Sequence, residues 1–135
     1  MSYPITDICG IDADVAAALK SAGVRSTGRL LEAACTVRGR KALAEKTGLP
    51  EKQLLCWANV ADRMRIKGVS KEYAELLQAA GVDTVKELKY RNPAKLASAM
   101  AEANRKRKQV RLLPSEKLIC RWIEHAKTLP IKISY

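Results

Sequence analysis

Residues 66–82 read IKGVSKEYAELLQAAGV, and residues 8–24 read ICGIDADVAAALKSAGV, the same pattern 58 positions earlier. Each copy opens with an apolar residue, a variable residue, glycine and a second apolar residue. Small residues and leucines at helical spacing follow, and each copy closes on Ala-Gly-Val. A repeat of fixed period indicates duplicated supersecondary units. The sequence therefore predicts a short apolar turn followed by an amphipathic helix, formed twice.

Helical periodicity extends over most of the remaining chain, and no segment alternates as a strand would. Asp12 and Ser70 lie where the two repeated helices begin, and both residue types are good N-caps. Asn92-Pro93 predicts a third such start, a cap followed by proline at the first helical position. We therefore expect an all-α protein in which two repeats pack into one compact helical body, residues 1–65 forming the first and residues 66–135 the second.

The ends of the two repeats match again, now at an offset of 65, because Trp57-x3-Ala61 corresponds to Trp122-x3-Ala126. The second repeat has therefore gained about seven residues, and the gain falls across its most basic run. Both tryptophans lie at matched positions of amphipathic helices, so we predict that they are core residues and not base-stacking groups.

The chain carries a formal net charge of +11 on 135 residues. The charge is uneven: residues 1–65 hold 10 Lys+Arg against 7 Asp+Glu, and residues 66–135 hold 15 against 7. A basic protein attracts polyanions, of which nucleic acid is the commonest. A basic surface that only maintains solubility is the alternative interpretation.

Four cysteines and one histidine are too scattered for a structural zinc site, which needs clustered ligands at tight spacing. We expect no metal and no cofactor. Cys9, Cys56 and Cys120 lie in apolar contexts and are predicted to be small buried hydrophobes. No stretch approaches the roughly 18 apolar residues of a membrane span, and the N-terminus does not read as a secretory signal. These features predict a cytoplasmic protein without membrane contact.

The two repeats resemble helix-hairpin-helix units. The openings Ile8-x-Gly10-Ile11 and Ile66-x-Gly68-Val69, each followed by the small-and-leucine helix that ends in Ala-Gly-Val, carry the resemblance. More widely, the chain is similar over nearly all of its length to a bacterial family of tandem helix-hairpin-helix proteins of unassigned function. In the DNA-binding members of this motif, backbone amides of the hairpin contact a phosphate at a helix N-terminus. The resemblance implies that the same contact is possible here.

The second glycine of that motif is replaced in both copies. In the first it is Asp12, followed by Asp14, and two carboxylates at a helix start would cap the helix and repel phosphate; we interpret this hairpin as structural. In the second it is Ser70, whose hydroxyl can donate to a phosphate oxygen. Lys67 and Lys71 flank that serine, so the second hairpin is a candidate phosphate clamp.

The second candidate surface is the basic run that begins with four consecutive cations. Basic residues also suit a helix C-terminus, so a solvated helix end is the alternative interpretation. The candidate nucleic-acid-binding residues are Lys67, Gly68, Val69, Ser70, Lys71, Arg105, Lys106, Arg107, Lys108 and Arg111.

No catalytic constellation is present in the sequence: there is no defensible serine-histidine-acid arrangement and no phosphate-binding P-loop. We expect a protein that is not an enzyme and has no small-molecule substrate. The predicted function is sequence-independent binding to the nucleic-acid backbone, duplex DNA in the first place. The alternative is a helical module that binds protein partners and uses its hairpins only for packing.

Overall fold

The computed structural model describes residues 2–135, and within them it contains eight α-helices and no strand, which confirms the prediction of an all-α protein. The chain divides into two compact units: one comprises the described residues up to Arg65 together with Lys132–Tyr135, and the other is Ile66–Ile131. None of the described helices is both long enough and apolar enough to cross a bilayer.

The first unit begins with a single 3-10 turn at Ile5–Asp7. Its helices are α1 (Ala13–Ser21), α2 (Thr27–Ala34), α3 (Val37–Thr47) and α4 (Glu51–Arg63). Helix α2 packs against α3 and α4, α3 also packs against α4, and α1 contacts α3. The core side chains with the least exposure include Ile5, Ile8, Leu19, Leu30 and Leu54.

The second unit contains α5 (Lys71–Ala79), α6 (Val85–Leu88), α7 (Pro93–Arg107) and α8 (Glu116–Thr128). Helix α7 packs against α5 and α8, and α6 packs against α8. Asn92 caps α7 as predicted, because its side chain accepts from the Lys95 N–H at 3.1 Å and Pro93 is the first helical residue. The core of this unit includes Ile66, Leu76, Leu77, Leu88, Leu96 and Trp122.

The repeated sequence forms a repeated turn, which we call the first turn (residues 8–12) and the second turn (residues 66–70). The Ile11 N–H donates to the Ile8 carbonyl at 3.3 Å, and the Val69 N–H donates to the Ile66 carbonyl at 3.0 Å. Gly10 and Gly68 have φ of +92° and +90°. Side chains make that backbone region costly, so glycine is required at the third position of each copy.

A tryptophan lies against the glycine of each turn. A Cβ built on Gly10 would lie 3.5 Å from the Trp57 Nε1, and one built on Gly68 would lie 3.4 Å from the Trp122 Nε1. The two indoles are 3% and 1% exposed, which confirms that they are core residues. Each turn is therefore supported from beneath by an indole ring of its own unit.

The C-terminal tail belongs to the first unit, although the sequence had placed it with the second repeat. The buried Arg40 side chain donates to the Ala34 carbonyl at 3.0 Å and to the Ser134 carbonyl at 2.7 Å. The Ser134 N–H also donates to the Cys35 carbonyl at 2.8 Å. These bonds hold the tail against the end of α2, where sequence periodicity offered no signal.

The prediction of buried cysteines is wrong for all three residues for which it was made, because Cys9, Cys56 and Cys120 are exposed. For Cys56 and Cys120 the cause is helical phase. Each of the two helical cysteines lies next to a buried tryptophan or isoleucine in sequence, but consecutive helical residues point about 100° apart. Apolar neighbours in sequence therefore did not indicate a shared buried face.

Candidate nucleic-acid interface

The second turn presents its polar groups outward. Lys67, Gly68 and Lys71 are exposed and Ser70 is half-buried, whereas the Val69 side chain is fully buried. Of the five residues predicted here, Val69 can therefore contribute only backbone groups to a surface, and its side chain anchors the turn in the core of the unit.

The N-terminus of α5 has no side-chain cap. Ser70 occupies the N-cap position, but its hydroxyl donates instead to the Glu72 Oε2 at 3.4 Å. In the first turn, by contrast, the Asp12 carboxylate accepts from the Val15 N–H at 2.9 Å. Serine does cap elsewhere in this unit, since Ser115 accepts from the Leu118 N–H at 3.0 Å. The two turns thus share a backbone shape and differ in whether the following helix is closed by a cap.

Several main-chain donors converge at this uncapped end. Within residues 2–135, the N–H groups of Gly68, Ser70 and Lys71 donate to no protein acceptor. The Lys67 N–H is already used, because it donates to the His125 Nδ1 at 3.1 Å. The first amides of a helix carry partial positive charge and are favourable anion ligands. These three donors lie in the second turn and at the first residue of α5, and the Glu72 and Tyr73 N–H groups that follow have no protein acceptor in the described range either. Of these amides, the Lys67 N–H alone is committed to α8.

The basic run lies at the end of α7. Arg105, Lys106 and Arg107 form the last helical turn, and Lys108 follows with φ of +50° in the left-handed region. Arg105 lies 2.7 Å from Glu102, and Lys106 lies 3.9 Å from the same carboxylate. One carboxylate thus faces two of the four cations, so the run keeps a net positive charge.

The segment after the run folds back onto the start of α5. The Asn104 side chain accepts from the Val110 N–H at 2.9 Å and donates to the Val110 carbonyl at 3.0 Å. The Tyr73 hydroxyl then donates to the Leu112 carbonyl at 3.2 Å. The structure therefore brings the second turn's helix together with the segment that carries Arg111.

An open cleft of about 420 Å³ lies at this junction. Its lining comes from the N-terminal end of α5 and the segment after α7, and consists of Glu72, Tyr73, Gln109, Val110, Arg111 and Leu112. The Tyr73 ring packs on Trp122 with 5.3 Å between centroids. The Gln109 Oε1 is buried and has no hydrogen-bond partner.

The charge of the second unit is strongly positive as a whole. Residues 66–131 hold 14 Lys+Arg against 7 Asp+Glu, a net charge of +7. Among the seven acids of this unit, Glu72 places a negative charge at the proposed site, because its carboxylate lies at the uncapped start of α5 and accepts from the Ser70 hydroxyl. It opposes any anion that approaches there.

Sequence reasoning missed three of the residues that shape this surface. Glu72 follows Ser70 by two positions, and that spacing could have indicated a side-chain contact. His125 and Gln109 gave no local signal, because their contacts form only when α8 and the segment after α7 pack against α5. Among residues 2–135 there is no group of three or more His, Cys, Asp or Glu side chains suited to a metal ion.

Residues 9–129 match the model of a family described as a domain of unknown function, DUF4332, and the chain belongs to that family. Neither a curated protein nor a solved structure matches the chain.

Proposed function

We propose that this chain is a tandem helix-hairpin-helix protein that binds the nucleic-acid backbone, duplex DNA in the first place, without reading its sequence. Support for the tandem motif comes from the two glycine turns with φ near +90°, each followed by a nine-residue helix. The same backbone geometry in both copies is what two hairpins of this kind require.

The observation that carries the proposal is the uncapped N-terminus of α5 beside exposed lysines. Three free amides near Gly68, the Ser70 hydroxyl and the charges of Lys67 and Lys71 could all act on one phosphate. The first turn is proposed to be structural only, because Asp12 already occupies the equivalent position on α1. The two copies differ because Asp12 caps the Val15 N–H, whereas no side chain caps the start of α5. We therefore assign the phosphate clamp to the second copy.

The basic run extends the proposed footprint within the same unit. Exposed guanidinium and ammonium groups at Arg105–Lys108 would contact further phosphates along the strand. Contacts of this type position a protein on nucleic acid and carry no sequence information. We propose little sequence preference, because no set of side chains on this surface forms an evident arrangement for reading base edges in the major groove. We propose no catalytic role.

Fluorescence anisotropy with a labelled random duplex, measured over a series of salt concentrations, tests the proposal. Non-specific binding of this kind has a Kd of about 10⁻⁴–10⁻⁶ M at physiological salt, and each neutralised phosphate steepens the salt slope by about 0.9. The double variant Lys67→Glu with Lys71→Glu should weaken binding and flatten that slope.

Lys86→Glu with Lys95→Glu is the matched control, because it makes the same change in charge on exposed positions of the same unit. Equal weakening by both double variants would leave only a general charge effect and remove the clamp. Weakening only by reversal of Arg105–Lys108 would keep backbone binding and assign it to the basic run alone.

A protein-binding module is the second candidate function. The observation in its favour is a set of large apolar side chains on the surface, among them Leu112 at 78% exposure and Tyr90 at 76%. Absence of any duplex binding at low salt would favour this function over the first.

A further inference from the structure

The geometry points to the cleft beside the second turn as a site for one unpaired nucleobase. This inference rests on the proposed function, and it specifies the ligand: a nucleic acid with an extruded or unpaired nucleotide binds in preference to a fully paired duplex. The base would enter between α5 and the segment after α7, while its own phosphate lies on the second turn.

The position of the cleft is the first argument. The helix that starts at the uncapped end also supplies two of the cleft's walls, Glu72 and Tyr73. A nucleotide carries its base one sugar away from its phosphate. A strand held by the amides near Ser70 would therefore bring a base to this cleft only if that base has left its stack.

The composition of the walls is the second argument. The Tyr73 ring and the Leu112 side chain offer an aromatic and an aliphatic surface, and Arg111 lies on the same lining. Aromatic rings and guanidinium planes are the groups on which proteins stack single-stranded bases. The volume of about 420 Å³ lies within the range of small-ligand sites.

The unpartnered acceptor is the third argument. The Gln109 Oε1 is buried at the edge of this cleft without a donor. Buried acceptors are normally paired, and every nucleobase offers an N–H donor on its pairing edge once its partner strand is gone. If the half-buried Gln109 side chain turned toward a base in the cleft, its Oε1 would gain the hydrogen bond that the free protein lacks, with little preference among the four bases.

The test compares three labelled hairpin duplexes by fluorescence anisotropy at one salt concentration. One is fully paired, the second carries a single extra unpaired nucleotide, and the third carries an abasic residue at that same position. The abasic ligand keeps the bend and the phosphates and lacks only the base. Stacking contributes about 1–3 kcal/mol per base, so the wild-type protein should bind the unpaired nucleotide at least about fivefold more tightly than the abasic residue.

Two variants locate the effect. Gln109→Leu removes the acceptor, and Leu112→Ala trims a wall at a position that is 78% exposed and therefore tolerant of substitution. Each should lower the preference for the base over the abasic residue and leave binding to the paired duplex unchanged. Gln78→Leu, at an exposed position of α5, is the control that should alter neither quantity.

The outcomes separate this inference from the function on which it rests. Salt-dependent binding to the paired duplex with equal affinity for the unpaired and abasic ligands overturns the inference alone. A base preference that survives both Gln109→Leu and Leu112→Ala places the base elsewhere and also overturns it. Absence of binding to all three ligands overturns both proposals.

Discussion

Replacing Glu72 with glutamine should tighten binding to duplex DNA, because this carboxylate is hydrogen-bonded to the serine at the proposed phosphate position. The Ser70 hydroxyl lies 3.4 Å from the Glu72 Oε2. A phosphate oxygen that accepts from that hydroxyl at ~2.8 Å would lie no more than about 6 Å from the carboxylate oxygen. Two unit charges at ~6 Å repel by about 0.7 kcal/mol in the dielectric of water, which corresponds to about a threefold change in Kd.

The same substitution should lower the stability of the free protein. An acid in the first turn of a helix stabilises it by roughly 0.3–1 kcal/mol, and Glu72 holds that position on α5. Glutamine keeps the shape and the acceptor oxygen while removing the charge. We therefore expect Kd and Tm to fall together, with the gain in affinity largest at low salt, where screening is weakest.

Anisotropy titrations with a random duplex and thermal denaturation measure the two effects. Glu116→Gln is the matched control, since Glu116 is an exposed acid in the first turn of α8, whose start is already capped by Ser115. Both variants raise the net charge by one. If Glu116→Gln tightened binding as much as Glu72→Gln, or if Glu72→Gln left Kd unchanged, the phosphate would not lie at the start of α5.

Three further substitutions test the architecture. Gly68→Ala places a side chain at φ of +90° against an indole 3.4 Å away and should lower the free energy of unfolding by about 1–2 kcal/mol, measured by urea denaturation; an unchanged midpoint would contradict the turn geometry. His125→Phe removes the acceptor of the Lys67 N–H and should cost about 0.5–1.5 kcal/mol in the same assay, with no loss indicating that this bond contributes nothing. Arg40→Met removes a buried guanidinium that binds the Ser134 carbonyl at 2.7 Å, so carboxypeptidase should digest the tail faster than in the wild type; equal rates would show that the tail is held without it.

The comparison of Ser70 with Ser115 illustrates how far a local pattern can be trusted. Both serines stand at an N-cap position, and cap propensity treats them alike. Ser115 accepts from a backbone amide of its helix, whereas Ser70 donates to the side-chain carboxylate of Glu72. The position of the helix start was predictable from the sequence, but the hydrogen bond made there depends on which of two nearby partners the side chain meets.

The two tryptophans show the opposite case. Their matched positions predicted burial, and both indoles are buried. What the pattern left open was their contact with Gly10 and Gly68. That contact joins residues more than forty positions apart in the chain, so it could not be read from either segment alone.

The amino-acid sequence by itself predicted the helical class and the starts of α1, α5 and α7, because a cap and a helical period depend on residues within about one turn of one another. It also determined the duplication and the concentration of charge after residue 65. The tertiary structure alone decided that the tail returns to Arg40 and that Tyr73 meets the carbonyl of Leu112 to form a cleft. These features join residues as many as 94 positions apart, and they arise from how helices pack rather than from any property of the segments that carry them.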